Sequence, residues 1–201
     1  GNPYQPTMAI PFNRLMDRLD LPSDSVIVDI GSGKGRVLLL SALRGFKKVV
    51  GIEFSSEFCK VARENVAIME NYLGKKLNIT IIESDAAFYD IEDDQNIFFL
   101  FNPFDDVVLN TVAKNIIISL KRNDRKIGII YYNPLHSVIL DRFFLLKEKH
   151  IIAGEEYRLY VNELSAGTVR KIHRVNPSPE ETGPASSSSL EVLCLLATWK
   201  K

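Results

Sequence analysis

The sequence predicts an α/β fold with a mostly parallel sheet, and three observations support this prediction. The first is a strand, a glycine-rich turn and a helix over residues 26–43. The second is that apolar runs suited to buried strands alternate with helical patterns as far as about residue 145. The third is that acidic residues stand at the ends of three consecutive predicted strands, where open α/β sheets bind their ligands.

The composition fits one soluble α/β domain and excludes several other classes. The chain has 201 residues, of which 46% are apolar and 25% charged. Lys+Arg and Asp+Glu balance at 25 each, so no global basic field predicts nucleic acid as a partner. No apolar run reaches the ~20 residues of a membrane helix, and no signal peptide opens the chain. We therefore expect a cytoplasmic protein without a membrane partner.

Metal binding and disulfide bonds are not predicted. The two cysteines, Cys59 and Cys194, have no metal-ligand spacing and form no evident disulfide framework. The three histidines, His136, His150 and His173, do not form a zinc motif. We expect free thiols and structural or exposed histidines.

The glycine turn follows a β-branched strand and contains three glycines at alternate positions. Val26–Ile30 is the strand, and Gly31, Gly33 and Gly35 follow it. Glycines allow a turn with positive φ and a close approach of the backbone to a ligand. The spacing excludes a phosphate-binding P-loop, and it lacks the third glycine of a dinucleotide fingerprint, whose place Arg36 takes. A tight turn without a ligand remains an alternative.

An acidic residue at the strand end followed by G-x-G-x-G resembles the first motif of class I S-adenosylmethionine (SAM)-dependent methyltransferases. Asp29 and the three glycines all match it. The resemblance implies SAM as the cofactor. It assigns Asp29 to the methionine end of SAM and the glycines, with the intervening Ser32, to close contact with it. It also implies a doubly wound, seven-stranded sheet with helices on both faces and a C-terminal antiparallel hairpin.

The next two strands end in residues that extend the resemblance. Glu53 ends the second strand, 22 residues after Gly31, where a carboxylate can accept hydrogen bonds from both ribose hydroxyls. Phe54 follows and is expected to lie along the adenine. Asp85 and Ala86 follow the third strand, where the family binds the adenine amino group and a ring nitrogen.

Asn102-Pro103-Phe104 follows the fourth strand, where the methyl acceptor meets the cofactor in this family. The Asn-Pro pair resembles the Asn-Pro-Pro-Tyr of amino-group methyltransferases, in which the asparagine accepts a hydrogen bond from the target nitrogen. Here one proline is followed by phenylalanine and no tyrosine is present. We assign Asn102, Pro103 and Phe104 to catalysis and Asn102 also to the cofactor. Tyr132 and Asn133 could line the acceptor pocket.

The N-terminal segment predicts an arm and a helix over residues 1–24, ahead of a SAM-binding core over 25–145. A Tyr-x-Pro-Thr arm resembles the segment that folds over SAM in disruptor-of-silencing type histone lysine methyltransferases and related bacterial proteins. That resemblance makes Tyr4 and Thr7 cofactor-binding candidates, although Thr7 could simply cap the helix.

The remaining segments give weaker predictions. The acidic stretch 88–95 and the basic turn 121–126 are expected to be solvated, with an acidic partner for the basic turn as an alternative. Residues 146–201 are expected to complete a single domain over 1–201, with a flexible loop near 176–189. The hairpin partners remain open, because both 156–164 and 190–199 have strand patterns.

The predicted function is transfer of a methyl group from SAM to a nitrogen of a small molecule or of a protein side chain. One alternative is a protein lysine methyltransferase of the disruptor-of-silencing type. Another is a non-catalytic scaffold that binds SAM, against which the intact set of ligand residues argues. A nucleotide-binding oxidoreductase is a third, which the missing glycine disfavours. No general base is evident in the sequence.

Overall fold

The computed structural model describes residues 7–19, 21–101 and 104–162. Backbone contacts divide the chain into one unit over Gly1–Glu163 and a second over Leu164–Lys201. Only the first unit contains described residues. The predicted loop at 176–189 and strand at 190–199 therefore lie outside the described residues, and a single domain over 1–201 stays a prediction.

The described elements alternate between strands and helices as the sequence predicts. The strands are β1 Val26–Ile30, β2 Lys48–Glu53, β3 Ile79–Glu83, β4 Ile97–Phe101, β5 Gly128–Tyr132, β6 Leu145–Ile152 and β7 Glu155–Val161. The helices are α1 Ala9–Leu19, α2 Arg36–Leu43, α3 Ser56–Leu73, α4 Asp106–Arg122 and α5 Ser137–Leu140.

Within the described residues, seven strands form one sheet in the order β3-β2-β1-β4-β5-β7-β6. Strands β1 to β5 pair in parallel, β7 is antiparallel to β5, and β6 is antiparallel to β7. The predicted fold class is confirmed. The hairpin consists of β6 and β7, so the first of the two candidate segments supplies β7. A register shift between Leu146 and Glu148 marks a bulge in β6.

Helices cover both faces of the sheet. Phe98 of β4 belongs to a buried cluster with Val28 of β1 and Ile116 of α4. Phe99 points to the opposite face, because successive side chains of a strand alternate. There it meets Phe12 of α1 edge to face, with ring centroids 5.4 Å apart. The central strands β1, β2, β4 and β5 are buried on both sides, which explains their largely apolar sequences.

Two helices begin at polar caps, and one ends at a glycine. The Ser55 side chain accepts a hydrogen bond from the Phe58 N–H, and Asp105 accepts one from Val108. Gly74 ends α3 in the left-handed conformation, with φ 63°. Helix α2 begins at Arg36, because the preceding Gly35, with φ 84°, still belongs to the turn.

The edge of the sheet where the parallel strands begin, here called the amino edge, is held by ion pairs. Arg122 pairs with Asp90 at 3.0 Å and Asp93 at 2.7 Å, and Lys48 pairs with Glu92 at 2.7 Å. The expectation that the acidic stretch and the basic turn are merely solvated is therefore wrong. Asp90 and Asp93 of the acidic stretch pair with Arg122 of the basic turn, although about thirty residues separate them in the sequence. These pairs hold the acidic stretch, which contains no helix or strand, in a compact turn.

Candidate cofactor and acceptor site

The glycine turn lies at the opposite edge, the carboxyl edge, where the parallel strands end. Gly31, Gly33 and Gly35 have φ values of 84°, 52° and 84°, so all three use the conformation that glycine tolerates best. The N–H groups of Gly31 and Ser32 both donate to the carbonyl of Ile52, at 2.8 and 3.0 Å. The turn is therefore fixed to the end of β2.

At two glycines the backbone lies so close to neighbouring residues that little room remains for a side chain. A Cβ at Gly51 would lie 2.6 Å from Leu38 Cδ1 and 2.8 Å from Ser32 Oγ. A Cβ at Gly35 would lie 3.1 Å from the Cβ of Ala62 on α3. Sequence reasoning missed Gly51, because nothing in a strand pattern shows which glycine faces a neighbouring turn.

A buried amide supports the same turn from α3. Asn65 donates from its side chain to the carbonyl of Lys34 at 3.0 Å, and it is 6% exposed. This residue was also missed. The sequence feature that could have identified Asn65 is its polar side chain on the apolar stripe of α3, near Ala62 and Met69.

Glu53 lies at the end of β2 with its carboxylate turned into the glycine turn. One oxygen accepts from Gly33 N–H at 2.8 Å and the other from Ser55 N–H at 2.9 Å. The side chain is 5% exposed. Because each carboxylate oxygen can accept two hydrogen bonds, both retain a lone pair for hydroxyl donors. The arrangement is a rigid, acceptor-only group beside the turn.

Asp29 lies at the end of β1 and is 4% exposed. Within residues 7–19, 21–101 and 104–162 its carboxyl group has no hydrogen-bond partner. Burial, and then the charge of Glu53, raise the pKa of Asp29 to about 8. Ser32 Oγ is likewise buried without a partner among these residues. Two polar groups at the same turn are thus left for a ligand or water.

The turn after β3 presents a second set of polar groups. Asp85 Oδ1 accepts from Ala87 N–H at 2.8 Å, which leaves the other carboxylate oxygen available. The backbone N–H of Ala86 donates to no atom of the described residues. Phe54 is 75% exposed and follows Glu53, whose carbonyl accepts from the Ser84 N–H at 2.9 Å. An acceptor, a donor and an exposed ring therefore lie together at the ends of β2 and β3.

Aromatic rings form a column across the ends of β4, β5 and β7. Phe101 stacks on Tyr132 with centroids 4.1 Å apart, and Tyr132 stacks on Tyr157 at 4.4 Å. Tyr132 and Tyr157 are buried, and no described residue lies at hydrogen-bond geometry to the Tyr157 hydroxyl. Burial is the main cause that raises the pKa of Tyr157. Tyr132 is thus a support at this edge rather than an exposed pocket wall.

The predicted acceptor residues lie only partly within the described residues. Asn102 and Pro103 lie outside them, and Phe104 packs against the core cluster. Asn133 has φ 49°, a value uncommon for residues other than glycine, and its N–H donates to the carbonyl of Glu156 at 2.9 Å. Its side-chain amide has no partner among the described residues.

The N-terminal segment reaches the glycine turn. Thr7 is 5% exposed, and its carbonyl accepts from Arg36 Nη1 at 3.4 Å. Tyr4 lies outside the described residues. Thr7 therefore lies beside the first turn of α2.

The described residues provide neither a membrane-spanning helix nor a metal site. No described helix is long and apolar enough to cross a membrane. No group of His, Cys, Asp and Glu side chains within the described ranges could hold a metal ion.

Residues 4–141 match the protein family described as "Histone methylation protein DOT1". The match extends from the N-terminal arm through the carboxyl-edge turns to α5. The chain belongs to the DOT1 family. The resemblance to class I SAM-dependent methyltransferases is thereby confirmed.

Similar proteins place this DOT1-family chain among other methyltransferases. It is 29% identical over 142 residues to a ribosomal protein L11 methyltransferase of Alkaliphilus oremlandii, covering 68% of the chain and 39% of that protein. It is 43% identical over 60 residues to one of Carboxydothermus hydrogenoformans, covering 30% of the chain and 18% of that protein. The chain thus spans well under half the length of these curated relatives.

A solved structure shares the fold. An RNA methyltransferase of Salinibacter ruber, in complex with S-adenosyl-L-homocysteine, aligns with a TM-score of 0.59 and 18% identity. The alignment covers 83% of this chain and 100% of that one. At this identity the comparison concerns the fold, and the acceptor of that enzyme carries no information about this one.

Proposed function

We propose that this protein transfers a methyl group from SAM to a nitrogen atom of a protein side chain. The observation that carries the proposal is the set of polar groups around the glycine turn, which are buried or fixed and still have capacity for a ligand. The family match and the two L11 methyltransferase relatives support the reaction type and favour a protein acceptor over a small molecule.

The residues present fit SAM. The free lone pairs of Glu53 suit the two ribose hydroxyls, and the free carboxylate oxygen of Asp85 suits the adenine amino group. The unpaired N–H of Ala86 suits a ring nitrogen, and the exposed ring of Phe54 can lie against the base. Asp29 would meet the positively charged methionine end.

Bound SAM supplies an activated methyl group on a cationic sulfur. The residues of the chain mainly have to hold the acceptor nitrogen in line at about 3 Å from the methyl carbon. We assign Asn102 to this placement, because an amide oxygen can accept a hydrogen bond from the nitrogen and orient its lone pair. The stacked rings of Phe101 and Tyr132 fix the strand end that precedes it. Thr7 and Tyr4 belong to the proposed arm.

Titration calorimetry with SAM and with S-adenosylhomocysteine tests the cofactor assignment. The wild type should bind both, and Glu53→Ala should weaken binding at least tenfold, because two charge-assisted hydrogen bonds are lost. Glu83→Ala is the matched control, since Glu83 pairs in register with Glu53 on the neighbouring strand and is exposed. Equal affinities in the two variants would contradict the assignment.

Labelled SAM then tests transfer. We expect incorporation of the label into lysine-rich proteins, and Asn102→Ala should lower turnover while SAM affinity stays nearly unchanged. Binding of SAM without transfer to any protein or amine would favour the non-catalytic scaffold instead.

A further inference from the structure

Arg36 follows the third glycine of the turn directly, and the contacts proposed for SAM give it no role. It is the first residue of α2, next to Gly35, whose φ of 84° belongs to the turn. The N-terminus of a helix carries a partial positive charge, so a cation in the first turn is unfavourable. The first turn of α2 contains no acidic residue that could offset this cation. A residue that breaks a local rule in this way is expected to serve a purpose outside its own helix.

The side chain of Arg36 contacts the segment that precedes α1. Its Nη1 donates to the carbonyl of Thr7 at 3.4 Å, although 29 residues separate the two in the sequence. Thr7 is 5% exposed, whereas Met8, the next residue, is 59% exposed. Burial and the contact with Arg36 therefore fix the same residue of the N-terminal segment.

A second arginine of α2 provides a comparison. Arg44, the C-cap residue of α2, pairs with Asp17 of α1 at 2.5 Å and donates to Asn13 at 3.4 Å. The eight residues of α2 place the two arginines roughly 12 Å apart along the helix. Arg44 therefore holds α1 at the far end of α2, whereas Arg36 holds the chain before α1, beside the glycine turn.

A contact of Arg36 joins the glycine turn to the N-terminal arm, because α2 begins directly at the turn. The buried polar groups of Asp29 and Ser32, which have capacity for a ligand, belong to the same turn. The main chain of Arg36 is fixed by the turn and its guanidinium contacts Thr7, so a displacement of the arm changes the surroundings of the cofactor site. Two binding events that are linked in this way favour each other by the same factor.

We propose that Arg36 is a positioning residue that holds the N-terminal arm at the cofactor site through the carbonyl of Thr7. The inference rests on the proposed function and deepens it, because it names the residue that couples the arm to SAM. Arg36 takes no part in the methyl transfer itself. Docking of the arm raises the affinity for SAM, and bound SAM raises the population of the docked arm.

Titration calorimetry with SAM on the full chain tests the coupling. Arg36→Met keeps a long side chain and the helix propensity of arginine but loses every donor, so it should raise the dissociation constant at least fivefold. Arg36→Lys retains a donor and should stay within twofold of the wild type. Arg44→Met is the matched control and should bind SAM as the wild type does, because it removes contacts with α1 and leaves Thr7 held.

The thermal stability of Arg36→Met should be close to that of the wild type. Removal of a cation from the positive end of α2 offsets the loss of one hydrogen bond. A weaker affinity for SAM in this variant would therefore not arise from unfolding.

Hydrogen exchange followed by mass spectrometry measures the arm itself. Without SAM, the amides of residues 2–8 should exchange faster in Arg36→Met than in the wild type, whereas those of α1 should not change. At a SAM concentration that saturates each protein, exchange over residues 2–8 should slow in the wild type and much less in Arg36→Met. A role of Arg36 that is confined to α2 would leave exchange in the arm unchanged under both conditions.

A double-mutant cycle separates the positioning role from a direct contact between Arg36 and SAM. Thr7→Gly loosens the arm because it removes a buried side chain, and on that background Arg36→Met should weaken SAM binding less than twofold. Additive effects, equal SAM affinities of the wild type and Arg36→Met, or unchanged exchange over residues 2–8 would overturn the positioning role. A wild type that fails to bind SAM would instead overturn the proposed function.

Discussion

The two edges of the sheet are built from similar residue types but differ in how their polar groups are satisfied. At the amino edge, Arg122, Arg125 and Lys48 bind carboxylates and carbonyls of the segment that connects β3 to β4. At the carboxyl edge, Asp29 and Ser32 are buried without partners among the described residues. The first edge stabilises the fold, and the second keeps binding capacity at the expense of stability.

The largest effect is expected from a substitution at Gly51 that crowds the glycine turn. Gly51→Ala would place a Cβ 2.6 Å from Leu38 and 2.8 Å from Ser32, so the turn must move. We expect a loss of about 1–3 kcal/mol in the free energy of unfolding and at least tenfold weaker SAM binding. Urea denaturation and calorimetry measure the two effects.

Gly128→Ala is the control for this change. Gly128 also lies in a strand without a positive φ, but the nearest atom to its added Cβ would be Ile97 Cδ1, at 3.3 Å. It should destabilise less and leave SAM binding unchanged. Similar effects of the two substitutions on binding would mean that the close approach at Gly51 does not shape the site.

A smaller effect, on stability alone, is expected at the amino edge. Arg125→Ala removes hydrogen bonds to the carbonyl of Gln95 at 2.7 Å and to Ser119 Oγ at 3.0 Å. We expect a loss of about 2 kcal/mol, since charge-assisted bonds are lost and their acceptors remain. Lys121→Ala, in the same basic turn but exposed, should change stability little. A marked fall in the SAM affinity of Arg125→Ala would contradict the conclusion that the amino edge serves stability and the carboxyl edge serves binding.

The last effect concerns a single proton and is seen in the pH dependence of stability. The pKa of Asp29 is raised from 3.8 to about 8, so its contribution to stability is complete below about pH 3.8 and is lost as the pH rises towards 8. Asp29→Asn should remove this decline, whereas Asp24→Asn, at an exposed position, should not. Urea denaturation at pH 5 and pH 8 measures it. Parallel pH profiles for the wild type and Asp29→Asn would contradict the raised pKa.

Ligand binding should move the same proton. A cation beside Asp29 favours its carboxylate, so SAM binding at pH 7 should release up to about one proton. Calorimetry in two buffers of different ionisation enthalpy detects this release, which Asp29→Asn should lack. Identical apparent enthalpies in the two buffers would place the cationic end of SAM elsewhere.

The sequence predicted features that depend on neighbouring residues. The strand that contains Asp29 and the acid that ends β2 both follow from local patterns with a known period. The parallel order then brings Glu53 and Asp85 to one edge, as predicted. Their contacts with a ligand remain predictions.

Features that depend on distant partners were missed or wrong. The acidic stretch was expected to be solvated because its partner Arg122 lies about thirty residues away. The role of Gly51 depends on the side chain of Leu38 in the next layer. The position of β7 between β5 and β6 depends on register, which the two candidate segments did not distinguish.

The bulge in β6 has a consequence for the behaviour of the protein in concentrated solution. Among the described residues β6 and β3 are the outer strands, whose open backbone could pair with another copy. The bulge and the exposed Lys147 and Lys149 interrupt one edge, and Arg63 occupies the carbonyl of Ile81 on the other. The sheet therefore resists growing from molecule to molecule into aggregates.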